Sequence, residues 1–142
     1  MNEAVIRTLI TRALAQRELA YAPYSHFQVG AALQTKEGAI YTGCNIENAA
    51  YTPTNCAERT AFFKAISEGA RDFAAIAIVG GAEGAAPSDY TAPCGVCRQV
   101  MQEFCAPDDF KIILARSEDD YRLMTLRELL PEVFGPDNLT QT

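Results

Sequence analysis

Apolar side chains recur along the chain with helical spacing in some segments and as short, strand-like runs in others. A spacing of three or four residues in the first segment predicts an amphipathic helix that ends before Pro23. The helices predicted from the sequence cover residues 3–21, 57–67, 94–104 and a short segment with capping-box spacing from Thr125. The predicted strands cover residues 26–35, 39–44, 73–79, 110–116 and 121–124.

The element order is therefore α-β-β-α-β-α-β-β-α, followed by an irregular tail. The turns at 36–38 and 117–120 are so short that the strands on either side of each must be antiparallel. The strand at 73–79 is almost wholly apolar, so it needs cover on both faces. We therefore expect one α/β domain over residues 1–142. It is a three-layer α-β-α arrangement around a mixed five-stranded sheet whose last two strands are antiparallel.

The charge of the chain argues against a polyanionic partner. It carries 18 acidic and 12 basic side chains, for a formal net charge of −6. Nucleic-acid affinity rests largely on basic side chains that neutralise phosphates, so a small neutral ligand is favoured. No apolar run is long enough to span a bilayer, and residues 1–12 lack a signal-peptide core. We expect a cytoplasmic protein that binds neither nucleic acid nor membranes.

The cysteines point to a metal rather than to disulfides. There are five, an odd number, and no secretion signal precedes them. Cys56 begins one predicted helix, and Cys94 and Cys97 form a Cys-x-x-Cys at the start of another. Three thiolates suit a catalytic zinc, which keeps three protein ligands and an open fourth position for water. The sequence predicts one Zn²⁺ per chain.

Cysteines in such positions can also have simpler roles. Free cysteines are often buried and inert, and a lone Cys-x-x-Cys also serves redox chemistry. A structural zinc would need a fourth ligand, for which Cys44, Cys105 and His26 are the remaining candidates. The presence of Cys56 as a third thiol, with Glu58 two residues after it, favours the catalytic zinc over these alternatives.

Two side chains beside Cys56 complete the predicted chemistry. Glu58 is placed to move protons on a water molecule, although with Asn55 as N-cap it would also complete a capping box. Three thiolates make a zinc site anionic, which weakens its ability to acidify water. Arg59 is predicted to restore the balance by donating hydrogen bonds to thiolate sulfur, and Arg98 is a second candidate.

With these motifs in place, the chain resembles the small homotetrameric cytidine deaminases, which hydrolyse cytidine and deoxycytidine. The wider deaminase superfamily shares the Pro-Cys-x-x-Cys and the nearby glutamate, also found with a three-cysteine ligand set. The matching stretches are residues 24–32, 43–49, 56–60, 93–99 and 128–131, with Phe134. They cover nearly the whole chain in the order of that family.

The resemblance implies roles for residues outside the metal site. Phe27 would pack on the pyrimidine ring, and Asn45 and Glu47 would hydrogen-bond the ribose hydroxyls. The Ala57 backbone and the Pro93 carbonyl would meet the edge of the base. Phe134 would be offered to the active site of a neighbouring subunit in a homotetramer, with ordinary packing under the last helix as the alternative.

Three other functions compete with this interpretation. A deaminase of nucleic acids or nucleotides is opposed by the acidic chain, by Glu47 and by the antiparallel last hairpin. A deaminase of an aminoacylated nucleoside antibiotic is expected to differ in the ribose-binding and C-terminal stretches. A zinc-binding module without activity would leave Glu58 without a role.

Overall fold

The computed structural model describes residues 1–139. The helices are α1 (Glu3–Arg17), α2 (Ala57–Ser67), α3 (Gly95–Phe104), α4 (Leu126–Leu129) and α5 (Pro136–Leu139). The strands are β1 (Phe27–Thr35), β2 (Ile40–Cys44), β3 (Phe73–Ala82), β4 (Lys111–Ser117) and β5 (Asp120–Thr125). Within this part of the chain, no helix is both long enough and apolar enough to cross a membrane.

The five strands form one mixed sheet in the order β2-β1-β3-β4-β5. β1 pairs antiparallel with both β2 and β3, β3 pairs parallel with β4, and β4 pairs antiparallel with β5. The parallel pair is joined through α3, as a parallel connection requires a long crossover. The predicted mixed sheet and the predicted antiparallel last pair are both confirmed.

Helices cover both faces of the sheet, which confirms the three-layer prediction. On one face, α2, α3 and α4 bury a cluster that includes Phe62, Met101 and Phe110. On the other face, α1 buries a smaller cluster through Leu9 and Ile10, among others. Both clusters are lined by alternate residues of the same strands, because successive side chains in a strand point to opposite faces.

Two glycines let helices lie unusually close to the sheet, one on each face. A Cβ at Gly30 would lie 2.0 Å from the Ala13 carbonyl oxygen of α1. A Cβ at Gly43 would lie 2.5 Å from the Ala57 carbonyl oxygen and 2.6 Å from the Ala61 amide nitrogen of α2. Both contacts are with backbone, so no side-chain rotation relieves them, and the seating of α2 on the sheet depends on Gly43.

The predicted boundaries differ from the structure at three places. The first helix ends at Arg17 rather than Tyr21, because Tyr21 instead makes a parallel bridge with Ile46. β3 continues to Ala82 rather than ending at residue 79, because β1 pairs with it along its whole length. The predicted irregular tail contains the short helix α5. The remaining helix and strand ends lie within one residue of their predicted positions.

Candidate active site and metal centre

The sheet topology brings the starts of α2 and α3 to the same edge. β2 and β3 are both antiparallel to β1, so they run in the same direction. α2 follows β2 and α3 follows β3, and both helices cover the same face. Their N-termini therefore meet beyond the carboxyl ends of these strands, where open α/β sheets bind ligands.

The three predicted ligands lie together at this meeting point. Cys56 is the N-cap of α2 and Cys94 is the N-cap of α3. The Sγ atoms of Cys56 and Cys94 are 3.7 Å apart, and those of Cys94 and Cys97 are 3.5 Å apart. Two sulfurs that each lie ~2.3 Å from a tetrahedral zinc are separated by ~3.8 Å, so the spacing fits this ion.

The cluster leaves room for a ligand that is not a side chain. Among the described residues, Cys56, Cys94 and Cys97 are the members of the metal-competent group, with all ligand atoms within 4.8 Å of one another. Cys44 and Cys105 are buried elsewhere and do not join it. Three sulfurs without a fourth protein ligand match the open coordination of a catalytic zinc rather than the closed set of a structural one.

Positive charge surrounds the sulfur of Cys56. Helix N-termini favour anions, and the Nη2 of Arg59 donates to Cys56 Sγ at 3.2 Å. The hydrogen bond with Cys97, and after it the contact with Arg59, lower the pKa of Cys56 to about 5. The second candidate, Arg98, donates instead to the carbonyl oxygens of Pro93 and Leu129, at 2.8 Å and 2.7 Å.

Glu58 lies in the first turn of α2 and is only 4% exposed. The capping-box alternative for it is wrong, because the N-cap is Cys56 rather than Asn55 and no side-chain capping bond is made there. The Asn55 amide donates instead to Thr60 Oγ1. Burial, and then the negative charge of Cys56, raise the pKa of Glu58 to about 7. A carboxyl group in this setting can both accept and release a proton near neutral pH.

Glu58 and two of the thiols open onto a cavity of about 200 Å³. The cavity is lined by Val29, Asn45, Glu47, Thr54, Asn55, Cys56, Ala57, Glu58, Thr91, Ala92 and Cys94. It therefore brings together two of the three predicted metal ligands, the predicted acid–base residue and three of the residues predicted to meet a substrate. A cavity of this size and mixed character suits a small polar molecule.

Asn45 and Glu47 are held in fixed orientations at this cavity. The Asn45 amide accepts from the Val29 N–H at 2.9 Å and donates to the Phe27 carbonyl at 2.8 Å, which ties the loop to β1. The Glu47 carboxylate accepts from the backbone N–H groups of Tyr24 and Ser25 and from the Ser25 hydroxyl. These bonds, the hydroxyl foremost, lower the pKa of Glu47.

Three predicted substrate-contacting residues, Phe27, Pro93 and Phe134, do not line the cavity of their own chain. Phe27 begins β1 and is 41% exposed, and Phe134 lies in the tail and is 58% exposed. The cavity also includes Ala92, which the resemblance to the family places near the leaving group, and it includes Val29, Thr54 and Thr91, which sequence reasoning missed. The adjacency of Thr91 to the Pro-Cys-x-x-Cys was the available signal for that residue.

Known cytidine deaminases resemble the chain over nearly its full length. Residues 4–112 match the family model for the cytidine and deoxycytidylate deaminase zinc-binding region. A cytidine deaminase of Halalkalibacterium halodurans is 52% identical over 131 residues, covering 92% of this chain and 95% of that protein. A cytidine deaminase of Sporosarcina psychrophila is 48% identical over 135 residues and 95% of each chain. The crystal structure of cytidine deaminase from Burkholderia pseudomallei superposes with a TM-score of 0.81 at 49% identity, covering 89% of this chain and 97% of that one.

Proposed function

The chain belongs to the cytidine and deoxycytidylate deaminase family, and on that premise we propose that it deaminates cytidine and deoxycytidine by zinc-dependent hydrolysis. The products are uridine, deoxyuridine and ammonia. The observation that carries the proposal is that a cluster of three thiols presents two of its members, Cys56 and Cys94, to the same small cavity as the buried carboxyl of Glu58. This arrangement supplies a metal site and a proton carrier within reach of the same bound molecule.

In the proposed mechanism, Glu58 carries protons between water and the substrate. Zinc held by Cys56, Cys94 and Cys97 supplies the Lewis acidity that makes a nucleophile available from water at neutral pH. Glu58 accepts a proton as water attacks C4 of the pyrimidine ring. It then delivers this proton to N3, accepts the remaining proton of the hydroxyl group added at C4 and passes it to the departing amine, so one carboxyl group serves as both base and acid.

Arg59 offsets the negative charge of the thiolates. Three thiolates leave a zinc site with a net negative charge, which opposes the acidification of water. The hydrogen bond from Arg59 to the sulfur of Cys56 withdraws part of that charge. Arg98 donates to two backbone carbonyls instead, so Arg59 is the side chain that we propose offsets the charge of the thiolates.

We propose that the other predicted substrate contacts, inside the cavity and at its edge, select a nucleoside. Asn45 and Glu47 are proposed to bind the ribose hydroxyls, with the backbone of Ala57 and the Pro93 carbonyl at the base edge and Phe27 against the ring. The pKa of Glu47 is held low by its hydrogen bonds, so the group is a carboxylate that repels a phosphate. Deoxycytidylate or cytidine within a nucleic acid is therefore a poor substrate, in keeping with the net charge of −6.

We further propose a homotetramer in which Phe134 completes the site of a neighbouring subunit. More than half of Phe134 is exposed in its own chain, which does not support packing under the last helix. Its backbone is nevertheless fixed, because Gln99 Nε2 donates to the Phe134 carbonyl at 2.8 Å. A fixed, exposed aromatic ring favours burial in a partner, with ~1.5–3 kcal/mol available from the removal of its surface from water.

The tetramer proposal is tested by Phe134→Ala, with Leu139→Ala as the control for an exposed apolar residue of the same tail. Phe134→Ala is expected to raise KM while the oligomer and its melting temperature persist, and Leu139→Ala to change neither. Mixing Phe134→Ala with inactive Glu58→Gln chains is expected to restore activity after subunit exchange. No recovery, with exchange demonstrated, removes Phe134 from a shared site.

We propose that the chain is a single domain, that it acts in pyrimidine salvage and that it lies in the cytoplasm. All five cysteines are free, and a zinc site made only of thiolates requires them reduced.

The test of the function is cytidine loss by absorbance, with ammonia release and zinc content measured on the same sample. The expected result is turnover of cytidine and deoxycytidine with zinc near one per chain. Zinc at that level without ammonia release would identify a zinc-binding module without activity. Turnover of deoxycytidylate as fast as deoxycytidine would contradict the nucleoside assignment.

A further inference from the structure

Part of the cavity wall belongs to a loop whose middle segment has no backbone hydrogen bonds to the rest of the described chain. Residues 83–94 connect β3 to α3, and Thr91 and Ala92 of this loop line the cavity beside Cys94. Among the described residues, the segment 86–92 makes no backbone–backbone hydrogen bond to any other element. A segment with so few backbone bonds opens easily unless its side chains anchor it.

Arg17 and Arg98 hold the two ends of the loop by donating to the carbonyl oxygens of Ala85 and Pro93. Within segment 86–92, Pro87 packs over Gly81 of β3, and Thr91 and Tyr90 provide the remaining anchors. Thr91 packs so closely over Gly80 of β3 that a Cβ there would lie 2.5 Å from Thr91 Oγ1. The residue before it, Tyr90, reaches in the other direction to the β4–β5 hairpin. Its hydroxyl donates to the Asp120 carboxylate, which within residues 1–139 is the one side-chain hydrogen bond from segment 86–92 to another element.

The hairpin holds the Tyr90 ring with two cations. The guanidinium carbons of Arg116 and Arg122 lie 4.7 Å and 4.4 Å from its ring centre, within cation–π range. Arg116 also donates to Asp120 Oδ2 from Nε at 2.7 Å, and its Nη2 lies 2.6 Å from the same oxygen. The acid that receives the tyrosine hydroxyl is thus itself fixed, and the four side chains form one network, which we call the Tyr90 clamp.

We propose that the Tyr90 clamp positions the cavity wall formed by Thr91 and Ala92 against the substrate. This inference rests on the proposed function, because the wall matters to catalysis only if the cavity binds the nucleoside. Tyr90 is a positioning residue rather than a catalytic one, since it does not line the cavity itself. In this clamp, side chains of β4 and β5 hold a loop that precedes both strands in the chain.

The test compares Tyr90→Leu with the same substitution at Tyr121, its matched control. Tyr121 lies on β5 next to Arg122, but it packs against the α1 cluster on the opposite face of the sheet. Tyr90→Leu is expected to lower kcat/KM for cytidine roughly 10-fold, less than the ~10²-fold that a misplacement of 1 Å can cost. Inhibition by uridine should weaken in parallel, because it reports binding without chemistry. Tyr121→Leu is expected to lower the melting temperature, with kcat/KM for cytidine and inhibition by uridine unchanged.

Limited proteolysis gives a readout that does not depend on activity, because cleavage within the loop requires the segment to leave its anchored position. Tyr90→Leu is expected to speed cleavage by Asp-N protease before Asp89, with zinc content unchanged, and Tyr90→Phe, which keeps the ring between its cations, should show a smaller effect. If Tyr90→Leu fails to fold, Arg122→Met makes the same comparison from the hairpin side. Cleavage as slow as in the wild type, or equal losses of kcat/KM in Tyr90→Leu and Tyr121→Leu, would overturn the inference. An inactive wild type would refute the proposed function instead, and the cleavage rate would still decide whether the clamp holds the loop.

Discussion

Substitution of Gly43 by alanine is expected to damage the zinc site by displacing helix α2, which carries Cys56 and Glu58. Gly43 lies on β2 under α2, and the added Cβ would lie 2.5 Å from the Ala57 carbonyl oxygen. Ordinary contact begins at 3.4 Å, so α2 must retreat by about 0.9 Å. α2 carries Cys56 and Glu58, whereas Cys94 and Cys97 belong to α3 and do not move with it.

The size of this shift sets the expected losses. Metal–ligand distances tolerate deviations of only ~0.2 Å, so a Cys56 displaced by this amount weakens zinc binding. The same displacement moves Glu58 relative to the substrate, and a misplacement of 1 Å costs ~10²-fold in rate. Overpacking itself costs ~1–3 kcal/mol, which at ~4 °C per kcal/mol for a chain of this length lowers the melting temperature by ~4–12 °C.

Gly30→Ala separates the positional effect from the loss of stability. It overpacks the adjacent strand β1 against α1, on the face that carries none of the ligands, with a still closer contact of 2.0 Å. The assay measures zinc per chain and kcat/KM well below both melting temperatures. Gly43→Ala is expected to lose zinc and activity. Gly30→Ala is expected to lose stability while its zinc content and kcat/KM stay at the wild-type level. Full zinc and a kcat/KM within about twofold of wild type in Gly43→Ala would refute the reasoning.

Three further predictions concern the site directly. Glu58→Gln is expected to keep its zinc and its fold while kcat falls by at least roughly 10²–10⁴-fold, since an amide carries no proton; a loss under about tenfold would leave Glu58 no acid–base role. Cys97→Ala is expected to lose zinc and turnover together, whereas Cys105→Ala, also buried but outside the cluster, keeps both when metal is measured by atomic absorption. The Ser25 hydroxyl lowers the pKa of Glu47, so the carboxylate is present above that pKa and lost as pH falls through it. Ser25→Ala should therefore move the acid-side rise of KM for cytidine to higher pH, and an unmoved profile would contradict the role of this bond.

The features that the sequence predicted well are those encoded by neighbouring residues. Helix α2 begins at Ala57 and ends at Ser67 as predicted, because the pattern of apolar positions and the following glycine are both local signals. The capping box of Thr125 and Glu128 is present for the same reason. The Cys-x-x-Cys places its two sulfurs together through the spacing of one helical turn, without help from the rest of the fold.

The features that it missed depend on partners far away in the chain. Tyr21 has helical spacing, but its backbone pairs with the loop after β2, and this pairing outweighs propensity. Asn55 has the side chain of an N-cap, yet the N-cap of α2 is the next residue, Cys56. Tyr90 stands in a segment rich in glycine, alanine and proline that carries no periodic pattern, so its anchor on the β4–β5 hairpin had no local signal.

The metal ligands themselves restrict the strand order that the element list leaves open. Three thiolates on one zinc require the N-termini of α2 and α3 to meet, which is reached most directly when β2 and β3, which precede them, run in the same direction. The short turn makes β1 antiparallel to β2, and β1 is therefore antiparallel to β3 wherever it lies beside it. The observed order, with β1 between β2 and β3, meets this condition while leaving both helices on one face. The chemistry of three side chains thus predicts a part of the topology that hydrophobic patterning cannot, since patterning assigns strands to a sheet without giving their direction.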